Sequence, residues 1–218
     1  MAIQPRPKSA FVRIDRIEAR NRGRRVLVLS DGREIEVSAA TVDEAGLSEG
    51  MAAAEQKIKE LGATDDAEAI HAAALRLLRV RARSERDIRT RLRQKDFPAE
   101  GIEAEITRLR NVGLLDDAAF AEAFVEERTR RSPRSARMLR QELSVRGVSP
   151  GIAGSSTADV DELALATDIA RSQLRKRQPS TYDQFIEKAG PFLTRRGFGY
   201  EVAKGALRRA WDDARSES

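Results

Sequence analysis

SERDIRTRLRQKDFPAEGIEAEITRLRNVGLLDD, residues 84–117, is the stretch that decides the fold. Ser84 is a favourable N-cap and Asp87, three residues on, gives a box-like reciprocal cap, so the spacing predicts a helix from Glu85. Ile88 and Leu92 lie four apart on one face. Arg86, Arg89, Arg91, Arg93 and Lys95 surround that face with cations, the last of them near the C-terminal end, where the helix dipole favours positive charge. The helix is expected to stop at Asp96, and Pro98 to open the next in its first turn. Ile102, Ile106 and Leu109 form the apolar stripe of that second helix, which ends at Asn111 to Gly113, where glycine can take a left-handed cap. The unit is two amphipathic helices at a tight corner.

Upstream, Asp65 or Asp66 is expected to cap a first helix with a stripe of Ile70, Ala73, Ala74, Leu77 and Leu78, so three helices make one unit. Before it the period changes to two. Phe11 to Ile17, Arg24 to Leu29 and Arg33 to Val37 read as strands, the last two joined through the Asp31–Gly32 hairpin signal. About three strands cannot stand alone and should dock on a helix. The candidates are Thr41 to Leu47 or Met51 to Leu61, the latter ended by Gly62.

Downstream, Phe120, Ala121, Phe124 and Val125 share a face, and Ser132 with Pro133 reads as the N-cap and first turn of a helix carrying Leu139 and Leu143. Two glycines and three serines between Ser149 and Ser156 predict a short or irregular third helix there. A last unit begins near Val160, with a stripe of Leu163, Ala166, Ile169, Ala170 and Leu174 and a break at Gln178 and Pro179. Its second helix holds Phe185, Ile186, Ala189, Phe192 and Leu193, and its third holds Val202, Ala206, Leu207 and Trp211.

The three units share a corner: LRQKDF at 92–97, LSVRGV at 143–148 and LTRRGF at 193–198. Each reads leucine, two variable residues, a base, a turn residue and an apolar residue, at a spacing of about fifty residues, which signals a repeat array. Gly147 and Gly197 stand where positive φ is often needed, and Asp96, in the same place, tolerates it less well. The fold class expected is mainly α, an elongated array of three tandem three-helix (helix-turn-helix-like) repeats preceded by a small antiparallel β module. By residue the divisions are a disordered tail at 1–9, a β-hairpin module at 10–50, a helical connector at 51–64, repeats at 65–114, 115–159 and 160–214, and a tail at 215–218.

Charged residues make up 34% and aromatics only 5%, with a formal net charge of +5, which suits small-residue helix packing rather than a large sandwich or barrel core. Without cysteine there is neither disulfide nor thiolate site, and no apolar run suits a signal segment or a bilayer span, so a cytoplasmic, non-membrane protein is expected. It is also expected to be a monomer. No phosphate-binding glycine loop or dinucleotide fingerprint is present. His71 is a lone helical histidine, and the pairs Asp65–Asp66, Asp116–Asp117 and Asp212–Asp213 stand at expected helix boundaries, where capping accounts for them. No catalytic residue, cofactor or metal is therefore expected, and the chain reads as a non-enzyme.

The informative excess is arginine, whose planar fork suits phosphate or carboxylate. Arg81, Arg86, Arg89, Arg93, Lys95, Arg134, Arg137, Arg140, Arg175, Arg195 and Arg196 are the candidate binding residues, recurring with the repeat as a basic track. With so few aromatics, contacts to single- or double-stranded DNA should run through phosphates rather than stacked bases. The bland reading of each patch is a solvated helix face.

ALRLLRVRARSERDIRTRLRQKDF at 74–97, GLLDDAAFAEAFVEERTR at 113–130, RQELSVRGV at 140–148 and FLTRRGFGYEVAKGAL at 192–207 resemble the RecX family of RecA regulators. The resemblance runs from about Asp65 to Trp211, and its GLLDD and RRGF elements are the more specific ones. It implies three tandem three-helix repeats that lodge in the groove of the RecA filament and restrain strand exchange, ATP hydrolysis and coprotease activity. That places the chain in homologous recombination, DNA repair and the SOS response, with direct DNA binding by some members. The leading hairpin module is similar to one found in only some members. Asp96 in place of a corner glycine, Ser135 where glycine is common, and the helix-poor stretch 151–156 depart from the pattern. The alternative reading is a non-specific or helix-turn-helix DNA-binding protein acting independently of RecA.

Overall fold

A computed structural model describes residues 11–20 and 23–216. The expected tail at 1–9 lies outside the described residues, as do Glu217 and Ser218. The mainly α architecture behind a small antiparallel sheet is borne out.

Among the described residues the sheet has four strands, not three. Strands β1 (Phe11–Ala19), β2 (Arg24–Leu29), β3 (Glu34–Ser38) and β4 (Ala52–Ala54) lie in the order β3-β2-β1-β4, every neighbour antiparallel. Val26 pairs with Glu36 and Leu27 with Ile35 across the hairpin, and Gly32 turns it at a φ of 83°. β4 lies within the expected connector at 51–64. Ala52–Ala54 pair with Phe11–Arg13, so the open edge of β1 recruits an alanine run whose own preference is helical. Val12, Ile14, Leu27, Leu29, Val37 and Ala53 form the sheet's core with Val42 and Ile58.

Val42 belongs to α1 (Ala39–Glu44), capped by the Ser38 hydroxyl, and Ile58 to α2 (Glu55–Val80). Both candidate helices thus dock on the sheet, but α2 does not stop at Gly62 and does not restart at Asp65. It runs unbroken for 26 residues. Gly62 is there for closeness: a Cβ would stand 3.0 Å from Ile35 Cγ2. Asp65 is buried and works across the chain, accepting from Thr41 Oγ1 at 2.6 Å, from Ser38 N at 2.9 Å and from the Arg24 guanidinium. Burial pushes its carboxyl up, but the bonds from Thr41 and Ser38 and the Arg24 charge outweigh that and hold it below the ordinary aspartate value. Both local stop signals are overridden by tertiary contacts.

The remaining helices are α3 (Glu85–Arg93), α4 (Ala99–Asn111), α5 (Asp117–Arg131), α6 (Ala136–Val145), α7 (Pro150–Ser156), α8 (Glu162–Arg177), α9 (Tyr182–Arg195) and α10 (Tyr200–Ser216). Ile88, Leu92, Ile102, Ile106 and Leu109 are buried as their spacing requires. The helix-poor stretch forms the single short helix α7. Two boundaries and the width of two stripes differ from expectation. Ser132 closes α5 and Ser135 caps α6, its hydroxyl accepting from Met138 N, because Pro133 falls in the connection rather than the first turn. Leu163 and Ile186 are exposed, so the α8 and α9 stripes are narrower than read. Arg215 and Ser216 continue α10 rather than beginning a tail, which puts Asp212 and Asp213 inside a helix, paired with Arg208 and Arg171.

The described chain forms two compact units, residues 11–81 with 89–111, and residues 82–88 with 112–216. In the first, α4 lies close enough to α2 that a Cβ on Gly101 would stand 2.6 Å from Ile70 Cδ1. In the second, Ala166, Ala170, Phe185, Ala189, Leu193, Phe198 and Ala206 form one cluster, and Ala121, Val125, Leu139, Leu143, Val148 and Ala153 another.

Candidate functional site

The expected corners are real. Asp96, Gly147 and Gly197 all have positive φ, of 61°, 86° and 86°. At the second and third corners the amide of the following residue, Val148 or Phe198, donates back to Leu143 or Leu193 and closes a Schellman-type turn. Val148 and Phe198 are buried at those corners.

Two of the corners are also joints of the second unit, built twice to one plan. The Ser84 hydroxyl donates to the Arg146 carbonyl at 2.5 Å, and the Ser135 amide donates to the Arg196 carbonyl at 3.0 Å. The next amide in each case finds an acid in the first turn of the following unit: Glu85 N donates to Asp117 at 2.9 Å and Ala136 N to Glu162 at 2.8 Å. The orphan donors of one helix start are thereby satisfied by the neighbouring module. A Cβ on Gly147 would run into the Arg86 side chain, and one on Gly197 would stand 2.6 Å from Ser135 Oγ. Glycine is needed at both for space as well as for φ. Asp96 is exposed and keeps its side chain.

These joints fix a group of arginines. Arg128 on α5, Arg134 in the connection and Arg146 at the second corner converge on one carboxylate, that of Glu142 on α6, at 3.2, 2.9 and 3.8 Å. The guanidiniums of Arg128 and Arg146 lie 5.1 and 4.4 Å from the centre of the Phe124 ring. Arg196 lies 4.6 Å from the centre of the Phe192 ring and donates to the Pro133 carbonyl at 2.9 Å. Burial, then the charge of Arg134, lowers its affinity for a proton from the usual arginine value. Such an arrangement can hold an anion.

The eleven expected binding residues are divided by the structure. Arg81, Arg89, Arg93 and Lys95 belong to the first unit, the other seven to the second. Arg89 makes a forked pair with Glu103 at 2.7 and 2.9 Å, holding that carboxyl below its ordinary value, and Arg93 reaches the same group at 3.7 Å. Arg134 and Arg196 come together at the cluster just described, and Arg140 donates to Thr157 at 3.2 Å. Arg81 closes α2, the aliphatic part of Arg86 covers Gly147, and Lys95, Arg137, Arg175 and Arg195 are exposed. Arg128, Arg146 and Glu142 were missing from the sequence-derived set. The recurring corner base marks Arg146, and the Glu142–Arg146 spacing of four ties the acid to it.

The other singled-out residues have structural partners. His71 Nδ1 lies 2.7 Å from the buried Glu105 carboxylate. Asp116 caps α5, as read, while Asp65–Asp66 and Asp212–Asp213 lie within helices rather than at their ends.

Family models described as "RecX, first three-helix domain" and "RecX, second three-helix domain" match residues 71–109 and 116–154. The chain is 33% identical over 135 residues to the "Regulatory protein RecX" of Pelodictyon phaeoclathratiforme, covering 62% of this chain and 84% of that one. It is 30% identical over 152 residues to that of Streptomyces coelicolor, covering 68% and 81%. It is 34% identical over 140 residues to that of Mycobacterium avium, covering 62% and 81%. Among solved structures, "Crystal structure of RecX from Lactobacillus salivarius" superposes with a TM-score of 0.62 at 21% identity, over 67% of this chain and 97% of that one. A second, "Crystal structure of regulatory protein RecX", gives 0.61 at 24% identity over 88% and 97%. At these identities the two structures speak for the fold.

Proposed function

The chain belongs to the RecX family, and from that premise we propose that it regulates the RecA recombinase by binding the RecA–DNA filament. In this reading it seats in the filament groove and restrains strand exchange, ATP hydrolysis and coprotease activity as a non-enzymatic ligand. DNA phosphates are a second set of contacts, made by the exposed cations Lys95, Arg137, Arg175 and Arg195.

The observation that carries the reading is the base that recurs at each corner, Lys95, Arg146 and Arg196. A cation repeated once per module suits a target that itself repeats. Arg146 and Arg196, packed on Phe124 and Phe192 at the joints of the second unit, lose little side-chain freedom on binding. The direct experiment mixes the protein with RecA from the same organism on single-stranded DNA and follows ATP hydrolysis and filament length. Both are expected to fall at stoichiometric amounts, and no change in either sinks the proposal. The alternative, a DNA-binding protein independent of RecA, is favoured if the chain binds DNA but leaves the filament untouched.

A further inference from the structure

The Glu142 cluster is an anion site whose present occupant is part of the chain. Arg128, Arg134 and Arg146 share a single carboxylate, so positive charge is in excess before Arg196 is counted. The sharing is also imperfect. Nε of Arg128 and Nε of Arg134 are buried and, although within ion-pair distance of Glu142, make no hydrogen bond. A buried charged donor left unaligned is costly and rare. Arg128 and Arg146 also rest against the Phe124 ring, a contact that does not depend on the carboxylate. Glu142 stands on α6 with about one-fifth of its side chain exposed.

We propose that the arginines around Glu142 form a binding site for a backbone phosphate of single-stranded nucleic acid, and that the Glu142 side chain occupies this site until the phosphate displaces it. The proposal deepens the DNA-contacting part of the function proposed above and rests on it. A phosphate suits the site better than a second carboxylate. It presents more acceptor oxygens, tetrahedrally disposed, to forks that come from three different elements. Exposed Arg130, Arg131 and Arg137 on the same unit extend the positive field toward a polyanion. Glu142 thereby lowers affinity for any strand and sets a threshold that a weak encounter does not cross.

The test needs no recombinase, so its failure is distinct from failure of the RecA reading. Binding of the full chain to a fluorescent oligo-dT strand is followed by anisotropy across a salt series. Glu142→Gln is expected to bind about three- to tenfold tighter, because a competing anion is gone. The slope of log affinity against log salt should steepen by about 0.7, the value of one further phosphate contact. Adding Arg134→Gln to that variant should return affinity to the wild-type level or below. If Glu142 serves instead to brace the arginines, Glu142→Gln binds no better or worse than wild type, and the proposal is overturned. It is equally overturned if the variant gains affinity for polyglutamate of matched charge but not for oligo-dT, since the site would then take protein carboxylates. Should Glu142→Gln lose helical content, Glu142→Asp replaces it, drawing the carboxylate back by one methylene. A smaller gain is expected from that variant, and no gain refutes the displacement.

Discussion

Gly197→Ala, set beside Asp96→Gly, tests whether the corners act as joints. Alanine at position 197 must adopt a φ of 86°, at a cost of about 1–2 kcal/mol. Its methyl would also stand 2.6 Å from Ser135 Oγ and 3.1 Å from Met138 Cβ, and overpacking of this kind costs about 1–3 kcal/mol. Reduced freedom in the unfolded chain returns about 0.4–1 kcal/mol, leaving a net loss of about 1.5–4 kcal/mol. For a chain of this length that lowers Tm by about 5–15 °C. Asp96→Gly relieves left-handed strain at an exposed corner and gives back much the same amount in unfolded-chain entropy, so stability should stay within about 1 kcal/mol of wild type. Urea and thermal unfolding by circular dichroism measure both. Because unfolding need not be two-state with two units, amide exchange at Ala136 and Met138 provides a local readout, and should quicken in Gly197→Ala alone. Equal stabilities for the two variants, or unaltered exchange at the joint, would refute the packing role assigned to the glycine.

Other perturbations follow from particular contacts. Asp65→Asn should cost about 2–4 kcal/mol, because a buried acceptor of Arg24 is lost, whereas Asp66→Asn, at a carboxyl that burial pushes up, should be neutral or stabilising at pH 7; paired melts decide. Since the folded carboxyl of Asp65 titrates below its unfolded value, its stabilisation is fully present above about pH 4 and disappears as pH falls through the folded value, so the wild type should lose more stability than Asp65→Asn on acidification. Leu143→Asp should unfold the cluster around Leu139 and Val148, with loss of helical signal, since it buries an unpaired charge. Charge reversal at Arg137 and Arg175 should weaken filament or DNA binding with helicity intact, whereas reversal at Arg89 should also lower Tm, because it sets two acids together at Glu103; a fall in Tm for the first pair would mark those residues as structural.

What the sequence made legible was local. Ser84 and Asp116 accept amides within their own first turns, and Asp96, Gly147 and Gly197 turn their own corners at positive φ, so caps, turns and the repeat could be read from spacing. The bond from Ser84 to Arg146 and the contacts that leave the two glycines no room for a side chain could not. The failures are places where a distant partner overrules a local preference. Asp65 has the form of an N-cap, but Arg24, Ser38 and Thr41 claim its carboxylate from 41, 27 and 24 residues away. Ala52–Ala54 would favour a helix but for the edge of β1. The arginines posed a similar difficulty. Composition located the basic stretches, while the convergence of Arg128 and Arg134 on Glu142 depends on how α5 and the loop behind it meet α6.

The unbroken course of α2 has a mechanical meaning. A glycine in mid-helix, followed by two aspartates, would ordinarily mark a hinge between a sheet module and a helical one. Here Gly62 is pinned by Ile35, Asp65 ties the same turn to β2, β3 and α1, and two turns further on Ile70 bears against Gly101 of α4. Sheet and α4 are therefore fastened to one rod. A ligand that grips the sheet would move the α4 end of this unit with it, as a handle moves a blade, and a truncation intended to remove the sheet alone would strip the rod of its bearing.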